Sequence, residues 1–396
     1  MALFDALRAA AATRRAYAEL GGPLPFGITF DEVLSATTAR AGGREVVLLG
    51  SNNYLGLTHD PDCVEAGVAA LRALGTGTTG SRMANGSWGG HRALEADLAE
   101  FFGMPAAVVF STGYQANLGI LAAVRGAGDV VLIDADSHAS IYDGCRLSGA
   151  EVLRFRHNDP ADLDRRLKRL GARAADALVV VEGVYSMLGD RAPLAAIVEV
   201  KARHGAALLV DEAHSVGVLG AQGRGAAEDE GVLAQADLIV GTFSKSLGSI
   251  GGFCVSPHAD LELVRYASRP YIFTASPAPS VIATTLAALA AVRARPQLRE
   301  RLWANTRQLY DGLAGLGLEP LAAPMPVIAV AVADPQRALR AWQALWAAGV
   351  YVNLMVPPAT PGGLCLLRAS VSAAHTPAQI GQALDAFAAL APGLRA

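Results

Sequence analysis

Short runs of apolar, mostly β-branched residues alternate with helical patterns through the middle of the chain. Five runs have the length and composition of buried strands, namely residues 106–110, 130–134, 177–182, 207–211 and 238–241. Segments between them, such as 193–205, repeat apolar residues at helical spacing. The alternation predicts an α/β fold in which helices cover both faces of a mainly parallel sheet. Ligands bind such sheets at the carboxyl ends of the strands, so the residues directly after each run are the first candidates for a site.

The chain has 396 residues, which favours a large domain accompanied by a smaller one. A long helical stretch covers 281–294, and the sequence after Pro296 predicts a helix, a strand at 326–333, a helix and a strand at 364–370. We therefore predict three parts: an N-terminal helix and arm (1–55), a large ligand-binding domain (56–280), and a connecting helix with a smaller C-terminal α+β domain (281–396).

Charge and hydropathy exclude some classes of protein. The chain carries 33 basic and 36 acidic side chains, a net charge of −3, which leaves no electrostatic footprint for nucleic acid or anionic lipid. No apolar stretch approaches the roughly eighteen residues of a spanning helix, so we predict no transmembrane segment. Residues 1–20 have the pattern of an amphipathic surface helix, and whether that helix touches the inner membrane stays open. Cys63, Cys145, Cys254 and Cys365 form no CxxC pair, which predicts free thiols in a reducing cytoplasm.

One lysine, Lys245, lies between two serines in a glycine-rich segment shortly after the run 238–241. It can be a surface lysine in a loop, or a lysine that forms a Schiff base with a cofactor. In the second case Thr242 and Ser244 would donate their hydroxyl groups to a phosphate. The segment alone leaves both interpretations open.

Asp211 ends the run 207–211, and His214 follows three residues later in the sequence DEAH. A carboxylate at a strand end can pair with a pyridinium nitrogen and keep it protonated, so that a pyridoxal phosphate (PLP) ring acts as an electron sink. The same pair can instead cap the next helix. DEAH also occurs in nucleic-acid helicases, but these require a phosphate loop of the form GxxxxGK(S/T), which the sequence lacks.

Two more strand ends carry candidates. His138 follows the second run by four residues, where its ring could lie flat on an aromatic cofactor; a loop histidine with an ordinary hydrogen bond is the alternative. Gly113 begins a helix after the first run, and backbone N–H groups there would hold a phosphate, with Tyr114 over the ring. No metal site is predicted, because three histidines lack ligand spacing on a common helix: His138, His157 and His214.

The glycine-rich segment 75–91 contains a formal GxGxxG. A dinucleotide site requires a strand directly before it, whereas the preceding residues have helical periodicity. We therefore interpret the segment as a flexible loop that lines a substrate site. Asn52 and Arg368 lie far apart in the sequence, and an arginine beside an asparagine would clamp an amino-acid carboxylate if the fold brings them together.

These segments occur together and in a fixed order, and in this the chain resembles the α-oxoamine synthases. The similarity runs from about Val46 to His375 and so covers most of the chain. It implies a PLP-dependent transferase fold of type I, in which a large PLP-binding domain holds a mainly parallel seven-stranded sheet and a smaller α+β domain follows. It also implies a homodimer whose active sites are shared between the subunits.

The resemblance implies a role for each candidate residue. Lys245 would form the Schiff base with PLP, Asp211 would bind the pyridine nitrogen, and His138 would stack on the ring. His214, together with Ser186, would contact the phenolic oxygen of the ring. Lys245, His138, Asp211 and His214 are thus the predicted catalytic residues.

The remaining residues would hold the phosphate and the substrate. Five are implied at the phosphate, the last reaching over from the partner subunit: Gly113, Tyr114, Thr242, Ser244 and Thr274. Asn52 and Arg368 would hold the carboxylate of the amino acid.

Within the family, the sequences of several segments resemble most the members that use L-serine and a long acyl chain. These segments are GTGTTGSR, HASIYDGCR, RFRHND, GVYSMLGD, GTFSKS, RPYIFTAS and PPATP. Other members tend to contain FSMDGD, and to have glycine where this chain has Ser244. The implied reaction is a decarboxylative condensation of L-serine with palmitoyl-CoA, which gives 3-ketodihydrosphingosine, CoA and carbon dioxide as the first step of sphingolipid synthesis.

Alternatives to this reaction stay open. Serine-specific members can carry an arginine directly before PPATP, where this chain has Val356, so a sister synthase that joins glycine or alanine to another acyl thioester is the main alternative. An aminotransferase of the same fold and a catalytically silent scaffold are further ones. The sequence does not specify the acyl-chain length, or whether CoA or acyl-carrier protein delivers the chain.

Overall fold

The computed structural model describes residues 2–11, 15, 18–19 and 21–394, and the chain divides into two compact units. The larger unit comprises Asn52–Ser186 and Asp190–Glu300. The smaller unit comprises the described parts of Met1–Ser51, Met187–Gly189 and Arg301–Ala396. Both ends of the chain therefore contribute to the same unit.

The predicted N-terminal amphipathic helix is described only in part. A helix spans Asp5–Ala10, and the side chains of Leu3, Phe4 and Leu7 are exposed. Residues 1, 12–14, 16–17 and 20 of the predicted helix lie outside the described residues. Among the helices of the described ranges, none is both long and apolar enough to span a bilayer.

The described residues form fourteen strands: β1 Glu32–Val33, β2 Thr38–Ala41, β3 Arg44–Leu48, β4 Ala106–Phe110, β5 Val130–Asp134, β6 Glu151–Phe155, β7 Leu178–Glu182, β8 Ala207–Asp211, β9 Leu238–Thr242, β10 Gly252–Ser256, β11 Val327–Val332, β12 Val350–Tyr351, β13 Asn353–Met355 and β14 Cys365–Ser370. Seven of them form one sheet of the larger unit in the order β4–β10–β9–β8–β7–β5–β6. Strands β5 to β9 pair in parallel, and β10 is antiparallel to β4 and β9. The predicted mainly parallel, seven-stranded sheet is therefore confirmed.

The five predicted strand runs correspond to β4, β5, β7, β8 and β9. Almost all their residues are buried, because helices cover both faces of the sheet, and this burial explains their continuous apolar sequences. The sequence did not predict β6 and β10. Strand β10 begins at Gly252, where a Cβ atom would lie 2.6 Å from the Cα of Gly113, so the close approach of two backbones requires glycine.

Helices connect the strands of the larger unit: Pro61–Leu74, Gly89–Phe102, Gly113–Val124, Ala139–Ser148, Pro160–Leu170, Leu194–His204, Ala226–Asp229, Val264–Ala267, Arg269–Ile272 and Pro279–Ala294. The predicted long helix at 281–294 is the last of these, and it packs against Pro61–Leu74. The helical periodicity predicted before the glycine-rich segment 75–91 is confirmed, because the helix Pro61–Leu74, and not a strand, precedes it. The helix Gln297–Gly315 begins in the larger unit and continues in the smaller one.

The smaller unit contains two sheets, one of β1–β2–β3–β12 and one of β11–β14–β13. The strands predicted at 326–333 and 364–370 are β11 and β14, which pair antiparallel. In the other sheet, β3 pairs in parallel with β12 and places Val47 opposite Val350. The helices Pro335–Ala347 and Pro377–Leu394 complete this unit.

Candidate active site

A cavity of about 280 Å³ lies in the larger unit at the carboxyl ends of the parallel strands. Its wall comes from the segments that follow β4, β5, β7, β8 and β9, which is the edge that the α/β pattern predicts for a ligand. Eight of the predicted site residues line it: Gly113, Tyr114, His138, Asp211, His214, Thr242, Ser244 and Lys245. The fold thus brings together eight predicted residues that the sequence spreads over four segments.

The carboxylate of Asp211 is held from two sides at the end of β8. Its Oδ2 accepts a hydrogen bond from Nδ2 of Asn117 at 2.7 Å, and its Oδ1 accepts one from the N–H of Ala213 at 2.9 Å. Asp211 is only 4% exposed. A buried carboxylate fixed in this way can pair with a cationic ring nitrogen. The sequence interpretation missed Asn117, although it lies four residues after Gly113 and therefore on the same face of the helix.

A small cradle forms where the helix Gly113–Val124 meets the end of β9. Thr112 caps this helix by accepting a hydrogen bond from the N–H of Gln115 at 3.0 Å. A Cβ atom on Gly113 would lie 2.8 Å from the Cβ of Thr242, so only glycine fits. The hydroxyl groups of Thr242 and Ser244 lie 2.8 Å apart. A helix N-terminus beside two hydroxyl groups is suited to bind a phosphate.

His138 is held as a neutral ring on the wall of the cavity. Its Nδ1 accepts a hydrogen bond from the N–H of Ser140 at 3.2 Å and lies 2.7 Å from that residue's Oγ. Burial, together with the charge of Lys245, lowers the pKa of His138 below 6.5 and outweighs the opposite effect of Asp211. The ring of Tyr114 meets the His138 ring edge-on, with centroids 6.3 Å apart. A neutral imidazole can stack on an aromatic cofactor.

Glu182 is a second carboxyl group on the wall, and the sequence interpretation missed it. It ends β7 directly opposite Asp211 in the sheet, and its carboxylate oxygen accepts a hydrogen bond from the backbone N–H of His138. Burial, followed by the charge of Asp211, raises the pKa of Glu182 well above 4.5. The wall therefore holds two neighbouring carboxyl groups, and the neutral form is favoured at Glu182.

His214 is oriented by a tyrosine that the sequence interpretation also missed. The hydroxyl oxygen of Tyr54 lies 2.6 Å from Nδ1 of His214 and 3.4 Å from Oδ1 of Asn52. Asn52 therefore lies one side chain away from a residue on the cavity wall. An isolated tyrosine in the segment GSNNYLGL carries no sequence signal for this contact.

Three further predicted site residues, described here with Val356, are not among those that line the cavity. Ser186 follows β7 in the loop after Tyr185. The hydroxyl oxygen of Thr274 accepts a hydrogen bond from Nε2 of Gln115 at 3.2 Å. Arg368 is buried on β14 of the smaller unit and donates to Oγ of Ser370 at 3.1 Å, and Val356 follows β13 in that unit.

The groups on the cavity wall fit PLP. The cradle at Gly113 suits its phosphate, Asp211 suits its ring nitrogen, and Lys245 supplies an amine for its aldehyde. In the part of the chain that the structure describes, the buried Oδ1 of Asn117 has no hydrogen-bond partner, as expected beside a polar ligand. Over the described ranges, no group of three His, Cys, Asp or Glu side chains is arranged to hold a metal ion.

Comparison with known proteins finds relatives over the length of this chain, among them serine palmitoyltransferases and putative 8-amino-7-oxononanoate synthases. A family model described as aminotransferase class I and II matches residues 44–387. The serine palmitoyltransferase of Caulobacter vibrioides is 53% identical over 394 residues, which are 100% of this chain and 97% of that protein. That of Sphingomonas paucimobilis is 50% identical over 380 residues, 96% of this chain and 90% of that protein. A solved structure of SPT with PLP as internal aldimine superposes with a TM-score of 0.96 at 49% identity, covering 99% of each chain.

Proposed function

This chain belongs to the aminotransferase class I and II family, and we propose that it is a PLP-dependent acyltransferase that condenses L-serine with palmitoyl-CoA. The products are 3-ketodihydrosphingosine, CoA and carbon dioxide. The observation that carries the proposal is the grouping of Lys245, Asp211 and the Gly113 cradle around one cavity of about 280 Å³. Full-length relatives at about half identity, which are serine palmitoyltransferases, support the choice of substrates.

Each group on the wall has a separate task in this reaction. When bound, PLP supplies an electron sink that stabilises negative charge on the Cα atom of an amino acid. Asp211, held by Asn117, keeps a proton on the ring nitrogen. The Nζ atom of Lys245 would hold the cofactor before substrate arrives, and the freed amine would then be placed to take the proton of the substrate's Cα atom and to return it.

The remaining residues hold and orient. Gly113, Thr242 and Ser244 bind the phosphate through N–H and hydroxyl groups. His138 covers one face of the ring with a neutral imidazole, and His214, oriented by Tyr54, contacts the phenolic oxygen.

Four further assignments rest on likeness to relatives. Asn52 and Arg368 are the proposed ligands of the amino-acid carboxylate, and Ser186 is a proposed contact of the ring oxygen. We also propose a homodimer in which Thr274 contributes to the phosphate site of the partner subunit. The four cysteines are buried and free, which supports a cytoplasmic location. Contact of the N-terminal helix with a membrane stays a prediction.

The proposed function is tested by spectroscopy and by product formation on the purified, PLP-loaded protein. A band near roughly 420 nm is expected for a lysine-bound PLP. L-serine, glycine and L-alanine are titrated separately, and CoA release is then measured with palmitoyl-CoA and with acyl-carrier-protein thioesters. A selective response to serine with release of CoA supports the proposal. A better response to glycine or alanine identifies a sister synthase, and keto-acid-dependent half reactions without CoA release identify an aminotransferase.

A further inference from the structure

Outside the cavity, His157 is paired at both ring nitrogens. Its Nδ1 lies 2.8 Å from Oδ1 of Asp134, and its Nε2 lies 2.6 Å from Oδ2 of Asp190. The side chain of His157 is 23% exposed and that of Asp134 is fully buried. A ring that is bonded through both nitrogens has one orientation. This histidine belongs to the segment RFRHND, for which the reaction has no direct use.

The two aspartates belong to the two segments that carry cofactor-facing residues. Asp134 ends β5, and the chain runs from it to His138; the N–H of Asp136 donates to Oδ1 of Asp134 at 2.9 Å. Asp190 ends the loop after β7, and its carbonyl oxygen accepts from the N–H of Tyr185 at 2.9 Å. His157 therefore connects the segment 134–138 with the loop 183–190.

Asn158 strengthens the same connection. Its N–H donates to Oδ2 of Asp134 at 2.9 Å, and its Nδ2 donates to Oδ2 of Asp190 at 2.7 Å and to the carbonyl oxygen of Arg191 at 3.0 Å. Its φ angle is +50°, in the left-handed region that asparagine tolerates better than most residues. Two consecutive residues thus each bind both aspartates.

The charge of His157 supports the arrangement. Burial lowers its pKa, but the hydrogen bonds and charges of Asp134 and Asp190 outweigh burial and raise the pKa to about 10. The ring is then a donor at both nitrogens over the working range of pH. Tyr185 packs its ring edge-on against the imidazole, with centroids 4.5 Å apart.

On the cavity side, the N–H of His138 donates a hydrogen bond to Glu182, the residue directly before the loop 183–190. This is a second connection between the same two parts of the chain. We propose that His157 is a positioning residue of the cofactor site, because it ties the segment that ends in His138 to the loop that follows Glu182. This inference rests on the proposed function, in which His138 stacks on PLP. Without His157, the outer connection keeps only the hydrogen bonds of Asn158, so the segment 134–138 is held less firmly and the imidazole of His138 has a less fixed position.

A matched control exists in the same unit. The Nε2 of His204 lies 2.9 Å from Oδ1 of Asp164, and the pair joins the helices Pro160–Leu170 and Leu194–His204. The side chain of His204 is 18% exposed, which is close to the 23% of His157. His204→Gln therefore removes a histidine of similar exposure that pairs with an aspartate and touches neither cofactor segment.

The experiment compares His157→Gln and His204→Gln with the unchanged protein. Hydrogen exchange of the apo-protein is followed in peptides that cover 134–142 and 183–191, and PLP affinity is measured by titration of the apo-protein. We expect His157→Gln to speed exchange in both peptides and to weaken PLP binding about tenfold, which corresponds to about 1.4 kcal/mol. His204→Gln should leave both readouts within about twofold, since its pair lies elsewhere.

Unchanged exchange in both peptides, or PLP affinity of His157→Gln within twofold of the unchanged protein, would overturn the proposal. So would a uniform rise in exchange over the whole larger unit, which marks a merely structural pair. Should His157→Gln not fold, Asp190→Asn removes one of the two partners at constant size and is tested in the same way. Neither readout requires turnover, so a protein that fails to release CoA from palmitoyl-CoA refutes the proposed function and leaves this test intact.

Discussion

The hydroxyl oxygen of Tyr54 lies 2.6 Å from Nδ1 of His214, across 160 positions of sequence. Tyr54 itself is fully buried. The contact occupies one ring nitrogen of His214 and so sets the direction in which the other points. Tyr54 thereby determines the orientation of His214, which lies on the cavity wall.

Tyr54→Phe removes this contact and keeps the packing of the ring. We expect a loss of about 1 kcal/mol in transition-state stabilisation, or roughly fivefold in kcat/KM, with little change in PLP affinity. Steady-state kinetics with L-serine and palmitoyl-CoA measure it. Tyr310→Phe is the control, because it removes a hydrogen bond to the carbonyl oxygen of Ala322 within the smaller unit. Equal kinetic losses in the two variants would contradict the role of Tyr54.

Lys245→Ala removes the amine on the cavity wall. We expect turnover and the absorbance band near roughly 420 nm to disappear together, because both require that amine. Lys201→Ala is the control. The Nζ atom of Lys201 lies 2.8 Å from Oδ2 of Asp237, and neither residue lines the cavity. Retained turnover in Lys245→Ala would overturn the assignment of the lysine.

Gly113→Ala places a Cβ atom 2.8 Å from the Cβ of Thr242. The helix N-terminus must shift to relieve the overlap, so we expect PLP binding to weaken by about tenfold or more. Titration of the apo-protein with PLP measures the change. Gly126→Ala is the matched control, because nothing lies within 4 Å of its added Cβ. A PLP affinity of Gly113→Ala equal to that of Gly126→Ala would count against the phosphate cradle.

The paired acids at the ends of β7 and β8 should respond differently to amide substitution. Burial and the charge of Asp211 raise the pKa of Glu182 well above 4.5, which favours its neutral form, so Glu182→Gln changes little and keeps an acceptor for the N–H of His138. We expect kcat within about threefold of the unchanged protein. Asp211→Asn removes the charge that keeps a ring nitrogen protonated, and kcat should fall about a hundredfold or more. Similar losses of kcat in the two variants would contradict the different roles proposed for Glu182 and Asp211.

The His157 cluster makes stability depend on pH in a defined direction. The pKa of His157 is raised to about 10 in the folded protein, from 6.5 for an ordinary histidine. The folded state then binds the proton more tightly than the unfolded state does, so the stabilisation is present in full below about pH 6.5 and is lost as pH rises through 10. Urea unfolding at several pH values should show His157→Gln less stable by about 2 kcal/mol at pH 6, with the difference shrinking toward pH 10. A difference that is constant with pH would exclude a charged His157.

The strands that could be predicted from the sequence are the ones buried on both faces. β4 and β5 consist only of buried residues, so apolar side chains occupy every position and the run is visible. β6 lies at the edge of the sheet, and only Phe155 of its five residues is buried, which leaves no continuous run. β10 is buried but begins at a glycine inside a glycine-rich segment, so it has the sequence pattern of a loop.

The same reasoning separates the site residues that the sequence indicated from those it did not. Asp211 and His138 follow strand ends, where a polar residue after an apolar run is conspicuous. Asn117 lies within a helix, so it has meaning only through its partner in space, whereas Glu182 closes an apolar strand as Asp211 does and carried the same signal. Contacts between segments far apart in sequence, such as Tyr54 with His214, leave no mark in either segment.

The parallel pairing of β3 with β12 imposes an order on folding during synthesis at the ribosome. β3 is translated early, whereas β12 emerges only after every residue of the larger unit, which ends at Glu300. A nascent chain that has reached this point contains the whole sequence of the larger unit, yet the edge of β3 that will pair with β12 has no partner. Completion of that sheet therefore waits until β12 has been made, and chains that stop between Glu300 and Val350 present an open strand edge to chaperones and proteases.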